Sequence, residues 1–282
     1  MENILDLTIV IPTVGEKSLL NVIENLNSTN SKPKKILVII YKENFKKINN
    51  NIHLHNNVEI VQTNLPGQVN QRVEGFKLAL TDYVMQLDAD CYINNQSITA
   101  MINFLKNNKD FSVGPCFIDI SNDLPIHKLN NNNKVSQFIK NLILGFPNSN
   151  KIMGKISKSG TNFGVDFNFL KEDIIQVDWI PGGCSMHYKK NLCLKNYFPF
   201  EGKAFYEDLI HSKLLIQKNI KLFIIKKAIC KTDFPIFPKK FKEFIRYMKA
   251  YSYCSKIYDV GIIRKYICMT LYLVRYIKNR LY

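Results

Sequence analysis

The chain has 282 residues, of which 46% are hydrophobic and 22% charged, enough for a real core in one large α/β domain or in a smaller domain with an extension. Its 39 lysines and arginines against 23 aspartates and glutamates leave a net charge of +16, which points to anionic partners: nucleic acid, phosphorylated ligands or a membrane surface. The seven cysteines are scattered and never take the paired spacing of a zinc or redox motif, so both sites are excluded and the thiols read as reduced and cytosolic.

The N-terminal MENILDLTIVIPT carries Glu2 and Asp6 ahead of a short apolar run, unlike a signal peptide, and no apolar segment reaches bilayer-spanning length. LTIVIP (7–12) is a continuous apolar run ended by Pro12, which suits a strand buried on both faces; the spacing of Leu19, Leu20, Ile23 and Leu26 suits a helix. KKILVIIY (34–41) and VEIVQT (58–63) read as strands, 73–80 as a helix, and YVMQL (83–87) as a fourth strand. This order predicts a Rossmann-like, mostly parallel sheet with flanking helices. Ligands of such sheets bind beyond the carboxyl ends of the strands. Pro12 and Thr13, Tyr41 to Glu43, and Asp88 to Asp90 all fall at such ends.

Beyond a helix predicted over 97–107 the texture loosens through 119–168, with NNNN at 130–133 and the turn-rich SKSGTNFG at 157–164. Order returns with VDWIPGGCSMHYKK (177–190), a helical stretch over 206–218 and the strand IKLFII (220–225). From Phe237 lysines, arginines and tyrosines interleave with apolar residues, which places a boundary near Pro235 to Pro238. The reading is a catalytic domain over 1–235, with halves of about 1–115 and 116–235, and an extension over 236–282.

Asp88 and Asp90 flank Ala89 at the end of an apolar run. Like charges this close raise each other's cost unless a cation sits between or beside them. Magnesium or manganese answers that need, taking one or two carboxylates and completing its shell with water and substrate phosphates. The competing reading is an ordinary turn with Asx-type backbone bonding.

LTIVIPT, the Arg72-x-x-Gly75 element, YVMQLDAD, WIPGGCSM and YEDLIHSKL resemble, in order and spacing, the family-2 glycosyltransferases of the GT-A fold over residues 7 to about 233. The resemblance implies that Pro12 and Thr13 form the first nucleotide-pocket segment, that Arg72 starts its helix and lies near the nucleotide, and that Asp88 faces the ribose or a metal-bound water. It implies that Asp90 ligates Mn2+ or Mg2+, and that Glu207 and Asp208 are the acidic pair ending the acceptor-side helix, with Asp208 the general base. Trp179, Gly182 and Gly183 would shape the sugar and acceptor pocket. The implied reaction inverts the anomeric carbon of a nucleoside-diphosphate sugar, with a family leaning to uridine.

Two departures stand out. The second strand runs into YKEN, leaving open whether Tyr41, Lys42 or Glu43 reads the base, and Asp233 stands where many relatives place a histidine metal ligand. Structural readings compete at several positions: Glu207 and Asp208 as helix N-terminal charges, Trp179 as core, and Arg72 paired with Glu74 at the surface. His187 and His211 lack a partner at ligand spacing and read as satisfied or exposed.

In the extension, Phe241, Phe244, Ile245 and Met248 repeat at three and four, as do Ile267, Leu271 and Val274, predicting amphipathic helices with basic faces. Such helices either lie on an anionic leaflet or pack on the catalytic domain or a second subunit. The first case gives a peripheral protein on the cytoplasmic face of the cell membrane, acting on a polyprenyl-diphosphate-linked saccharide. With abundant Asn, Lys and Ile suggesting an AT-rich, bacterial genome, this points to surface-polysaccharide assembly. A nucleic-acid binder is supported by charge alone and leaves the ordered acidic and Gly-Gly elements unexplained. A sugar nucleotidyltransferase expects a glycine-rich loop with an activating basic residue, which VIPTVGEKS matches poorly.

Overall fold

The first strand, β1 (Asn3–Thr13), pairs in parallel with β2 (Ser31–Tyr41) and with β4 (Tyr83–Leu87), and β2 pairs in parallel with β3 (Val58–Thr63). The computed structural model describes residues 3–29, 31–49, 51–52, 55–128, 142–146, 152–233 and 237–281. Leu7, Ile9, Val10 and Ile11 are all fully buried, because helices cover both faces of this half of the sheet. One face packs on α1 (Leu19–Asn27) and α3 (Asn95–Lys106), through Leu19, Ile23, Ile98 and Met101. The other packs Val10 and Ile39 against Phe76 of α2 (Gln68–Leu78). Asn94 caps α3 by accepting from the Ser97 amide at 2.8 Å.

The sheet has nine strands in the order β3-β2-β1-β4-β8-β6-β9-β5, with β7 beside β9. Here β5 is Tyr92–Ile93, β6 Phe111–Asp119, β7 Ile174–Val177, β8 Cys184–Tyr188 and β9 Lys221–Thr232. The parallel reading holds from β3 to β4. Beyond it β8 enters antiparallel to both β4 and β6, so the sheet as a whole is mixed.

Several boundaries move. The second helix starts at Gln68, not 73, which puts Arg72 in its second turn rather than at its start. The helix α4 spans Glu207–Gln217, so the acidic pair opens it instead of ending it. The turn over 157–164 is tied by the Ser157, Ser159 and Thr161 hydroxyls. The NNNN run at 130–133 and the domain boundary at Pro235 lie outside the described residues. All seven cysteines are buried and free.

The extension forms α5 (Phe241–Ile257) and α6 (Ile262–Leu281). Ala250 and Cys254 of α5 share a buried cluster with Trp179, Leu209 and Ile210, and the Tyr258 hydroxyl donates to the Leu209 carbonyl at 2.7 Å. This helix therefore packs on the catalytic core, one of the two roles expected from its amphipathic spacing.

Candidate active site

The ends of β1, β2 and β4 are drawn together by α2. Its approach to the sheet depends on Gly75: a Cβ there would sit 2.3 Å from Val10 Cγ1. With the helix this close, Gln71 Nε2 donates to the carbonyls of Thr13 at 2.7 Å and Ile39 at 3.0 Å, pinning two strand ends. One turn earlier, Gln68 Nε2 donates to Asp88 Oδ1 at 3.0 Å. Neither glutamine was singled out from the sequence, since nothing local marks a polar residue that serves distant carbonyls.

Arg72 is 1% exposed and is not paired with Glu74, which binds Lys77 at the surface. Its Nη2 donates to Asp88 Oδ1 at 2.7 Å and its Nη1 to Glu207 Oε1, while the Tyr197 hydroxyl donates to Glu207 Oε2 at 3.1 Å. Burial works against the guanidinium charge, but the Glu207 and Asp88 carboxylates outweigh it and raise the Arg72 pKa well above its ordinary value. Arg72 is thus a buried strut between the β4 turn and the start of α4.

The two glycines of WIPGG serve the same junction. A Cβ on Gly182 would lie 2.1 Å from Glu207 Oε1, so only glycine admits that carboxylate. The Gly183 carbonyl accepts from the Asp88 amide at 2.8 Å, and Gln86 Nε2 donates to the Gly182 carbonyl at 2.9 Å. Trp179 is 4% exposed, donates from Nε1 to the Phe163 carbonyl at 3.2 Å and meets the His127 ring edge-on, so it serves as core with one edge at the cleft.

These elements wall an open cleft of about 740 Å3 that takes in Asp88, Asp90, Trp179, Gly182, Gly183, Glu207, Asp208 and Asp233. Lys203, Lys239 and Lys240 line it too, the last two from the root of the extension. Pro12, Thr13, Tyr41 and Glu43 do not line it; they lie at the neighbouring strand ends. The Thr13 hydroxyl is taken by Glu16, and a bond from Tyr41 to Glu43 raises the Tyr41 pKa.

Asp90 faces the cleft, and among the described residues no salt bridge reaches it. Withdrawal of solvent, and then the Asp88 charge, push its carboxyl above the ordinary range. Asp208 is half-buried, and burial followed by the Glu207 charge raises its pKa to about 7, although the Leu209 amide donates to it at 2.9 Å. His187 is fully buried, bonded to Ser112 and Ser185, and pushed down to about 3 by burial. His211 stacks on Tyr197, and its buried Nε2 has no partner, contrary to a satisfied or exposed histidine. Burial pushes His127, in the cleft wall, down to about 4.

Among the described residues no cluster of three His, Cys, Asp or Glu side chains is close enough to hold a metal by itself. The donors nonetheless fit a hard ion, which takes one or two carboxylates and fills its shell from phosphates and water. Asp90 carries no salt bridge among the described residues and accepts from the Cys91 thiol at 3.8 Å, Asp88 has one oxygen committed to Arg72 and Gln68, and Asp233 lines the same cleft.

Known proteins share this fold. The model of Glycosyl transferase family 2 matches residues 8–169. Among solved structures, that of GalNAc-T7 with UDP, GalNAc and Mn2+ superposes with a TM-score of 0.61 at 14% identity, covering 91% of this chain and 48% of that one. The structure of S. aureus TarS 1-349 in complex with UDP-GlcNAc gives 0.51 at 14% identity, covering 95% and 72%. The chain thus spans about half the length of the first and under three quarters of the second. No curated protein matches the chain in sequence.

Proposed function

From the premise that this chain belongs to glycosyl transferase family 2 and has the GT-A fold, we propose that it is an inverting, metal-dependent transferase. Its donor is a nucleoside-diphosphate sugar and its acceptor a hydroxyl of a lipid-linked saccharide. The observation that carries this reading is that Asp90 and Asp208 open on one cleft with different surroundings. An acceptor hydroxyl has a pKa far above neutrality, so a carboxylate must take its proton as the oxygen attacks the anomeric carbon. Asp208, with its pKa raised to about 7, is matched to that work, whereas Glu207 is held by Arg72 and Tyr197 and acts as a positioning residue.

On the far side of the sugar the diphosphate leaves with growing negative charge. Lys203, Lys239 and Lys240 supply fixed positive charge along the cleft. Asp90 and one oxygen of Asp88 would hold Mn2+ or Mg2+, with Asp233 lining the same cleft but not clustering with them, and a bound ion supplies further neutralisation of the leaving group. We propose that Arg72, buried and absent from the cleft wall, keeps Asp88 in place rather than touching the nucleotide. Attack on one face and departure from the other invert the anomeric centre. UDP and UDP-GlcNAc in the two similar structures support a uridine donor, and the charge of the extension supports a site on the cytoplasmic membrane face in bacterial polysaccharide assembly.

Calorimetric titration with UDP and Mn2+ tests the donor side. Asp90→Ala should weaken joint binding by about tenfold or more, the scale of losing one metal ligand or its support. Parent-like affinity in that variant would remove Asp90 from the site.

A further inference from the structure

Among the described residues, α6 is covered on one side only. Its inner edge runs through Cys268, Tyr272 and Tyr276; the Tyr276 ring stacks on Phe244 at 4.3 Å and the Tyr272 hydroxyl lies 2.7 Å from that of Tyr206. The opposite edge carries Ile263, Ile267, Leu271, Val274 and Ile277, which are 75%, 43%, 44%, 57% and 48% exposed. Spaced by three and four, they form one continuous apolar stripe along the helix. Soluble surfaces scatter such residues singly and rarely line them up.

The same helix holds Arg264, Lys265, Arg275, Lys278 and Arg280 and not one acidic residue. We infer that this stripe docks on an anionic lipid surface, with the helix lying in the headgroup plane. Charge decides the occupant. A second copy packed on the stripe would bring two acid-free, lysine- and arginine-rich helices together, whereas anionic headgroups neutralise the cations while acyl chains receive the stripe. Among the described residues no helix is long and apolar enough to cross a membrane, in keeping with a surface attachment.

The sequence expectation of more than one lipid-facing helix is narrowed to α6. In α5 the side chains of Phe244, Ala250, Tyr251 and Cys254 are spent on packing inside the protein. The docked helix is tied directly to the cleft, because Tyr206, which its Tyr272 holds, precedes Glu207 and Asp208 in the chain. The inference deepens the proposed lipid-linked acceptor, but vesicle binding needs neither donor nor acceptor, so the two readings fail separately.

The test is flotation of the full-length protein with vesicles of phosphatidylcholine alone or mixed with phosphatidylglycerol. The expected result is recovery with the mixed vesicles only, weakened by salt, because charges are screened over about 8 Å at physiological ionic strength. The triple variant Ile267→Ser, Leu271→Ser, Val274→Ser should lose at least about tenfold in vesicle affinity with an unchanged melting temperature. Parent protein that stays out of the lipid layer overturns the inference, as does a triple variant that floats like the parent. A parent dimer that the variant splits into monomers, seen by light scattering without vesicle binding, would make a second copy the occupant.

Discussion

At Asp208 withdrawal of solvent and the neighbouring Glu207 charge favour the protonated acid, while the Leu209 amide favours the carboxylate; the net effect is a pKa of about 7. Because the base works only when ionised, kcat/KM should rise with pH and level off above about 7, and a profile flat from pH 5 to 8 would move the role elsewhere. The same shift bears on stability. The folded pKa lies above the unfolded value, so from about pH 4 upward unfolding releases a proton, and the protein loses stability until the folded group ionises near 7. Asp208→Asn should therefore abolish transfer, keep donor affinity, and raise stability at neutral pH by on the order of 1–2 kcal/mol, read as a melting temperature a few degrees higher. Arg72 makes the opposite case. Arg72→Met leaves the buried Glu207 and the half-buried Asp88 without their shared cation, which should cost about 3–5 kcal/mol in urea unfolding. If Arg72 were instead a nucleotide ligand, stability would hold and only donor affinity would fall. Its spacing to Gly75 marked the residue in the sequence, but its partners lie 16 and 135 positions away, and only the fold reveals that it is interior.

Among the elements, β1, β2 and β4 were legible because strands buried on both faces must be continuous apolar runs, whereas β3, an edge strand only partly buried, showed itself through its Val, Ile and Thr. The strand β6 was missed: Gly114 and Pro115 interrupt FSVGPCFID, and its register against β9 shifts between Pro115 and Cys116. The strand β9 outran its predicted end at 225: Lys226 and Lys227 break the apolar run, yet the strand continues through them, with the Lys226 ammonium satisfied by the Leu170 carbonyl at 2.6 Å. The first turn of α2 was missed for a similar reason: QVNQR shows no apolar period, its glutamines and arginine being spent on strand ends and carboxylates. Gly75 lets that turn reach its partners. Gly75→Ala would force a methyl against Val10 and push the helix outward, at about 1–3 kcal/mol of stability and with weaker donor binding, since Gln68 and Arg72 would retreat from Asp88. A variant with parent melting temperature and parent UDP affinity would mean that the helix seat is loose.

For the whole molecule, the composition break near Pro235 to Pro238 reads as a domain boundary, yet the packing across it is that of one core. Trp179, Leu209 and Ile210 on one side meet Ala250 and Cys254 on the other, and Tyr206 reaches Tyr247 of α5 at 2.6 Å and Tyr272 of α6 at 2.7 Å. Burying one large apolar or aromatic side chain contributes about 1.5–3 kcal/mol, so a handful of them approaches the net stability of about 5–15 kcal/mol typical of a domain. Two truncations separate the helices. A chain ending after Thr232 uncovers Trp179, Leu209 and the start of α4, and should be insoluble or lack a cooperative thermal transition. A chain ending after Val260 keeps α5 over that surface and loses the contacts of α6, among them those of Cys268, Tyr272 and Tyr276, so it should fold with a lower melting temperature and still bind UDP with a divalent ion. A soluble 232-residue chain with the parent's melting temperature would make the extension a separate body.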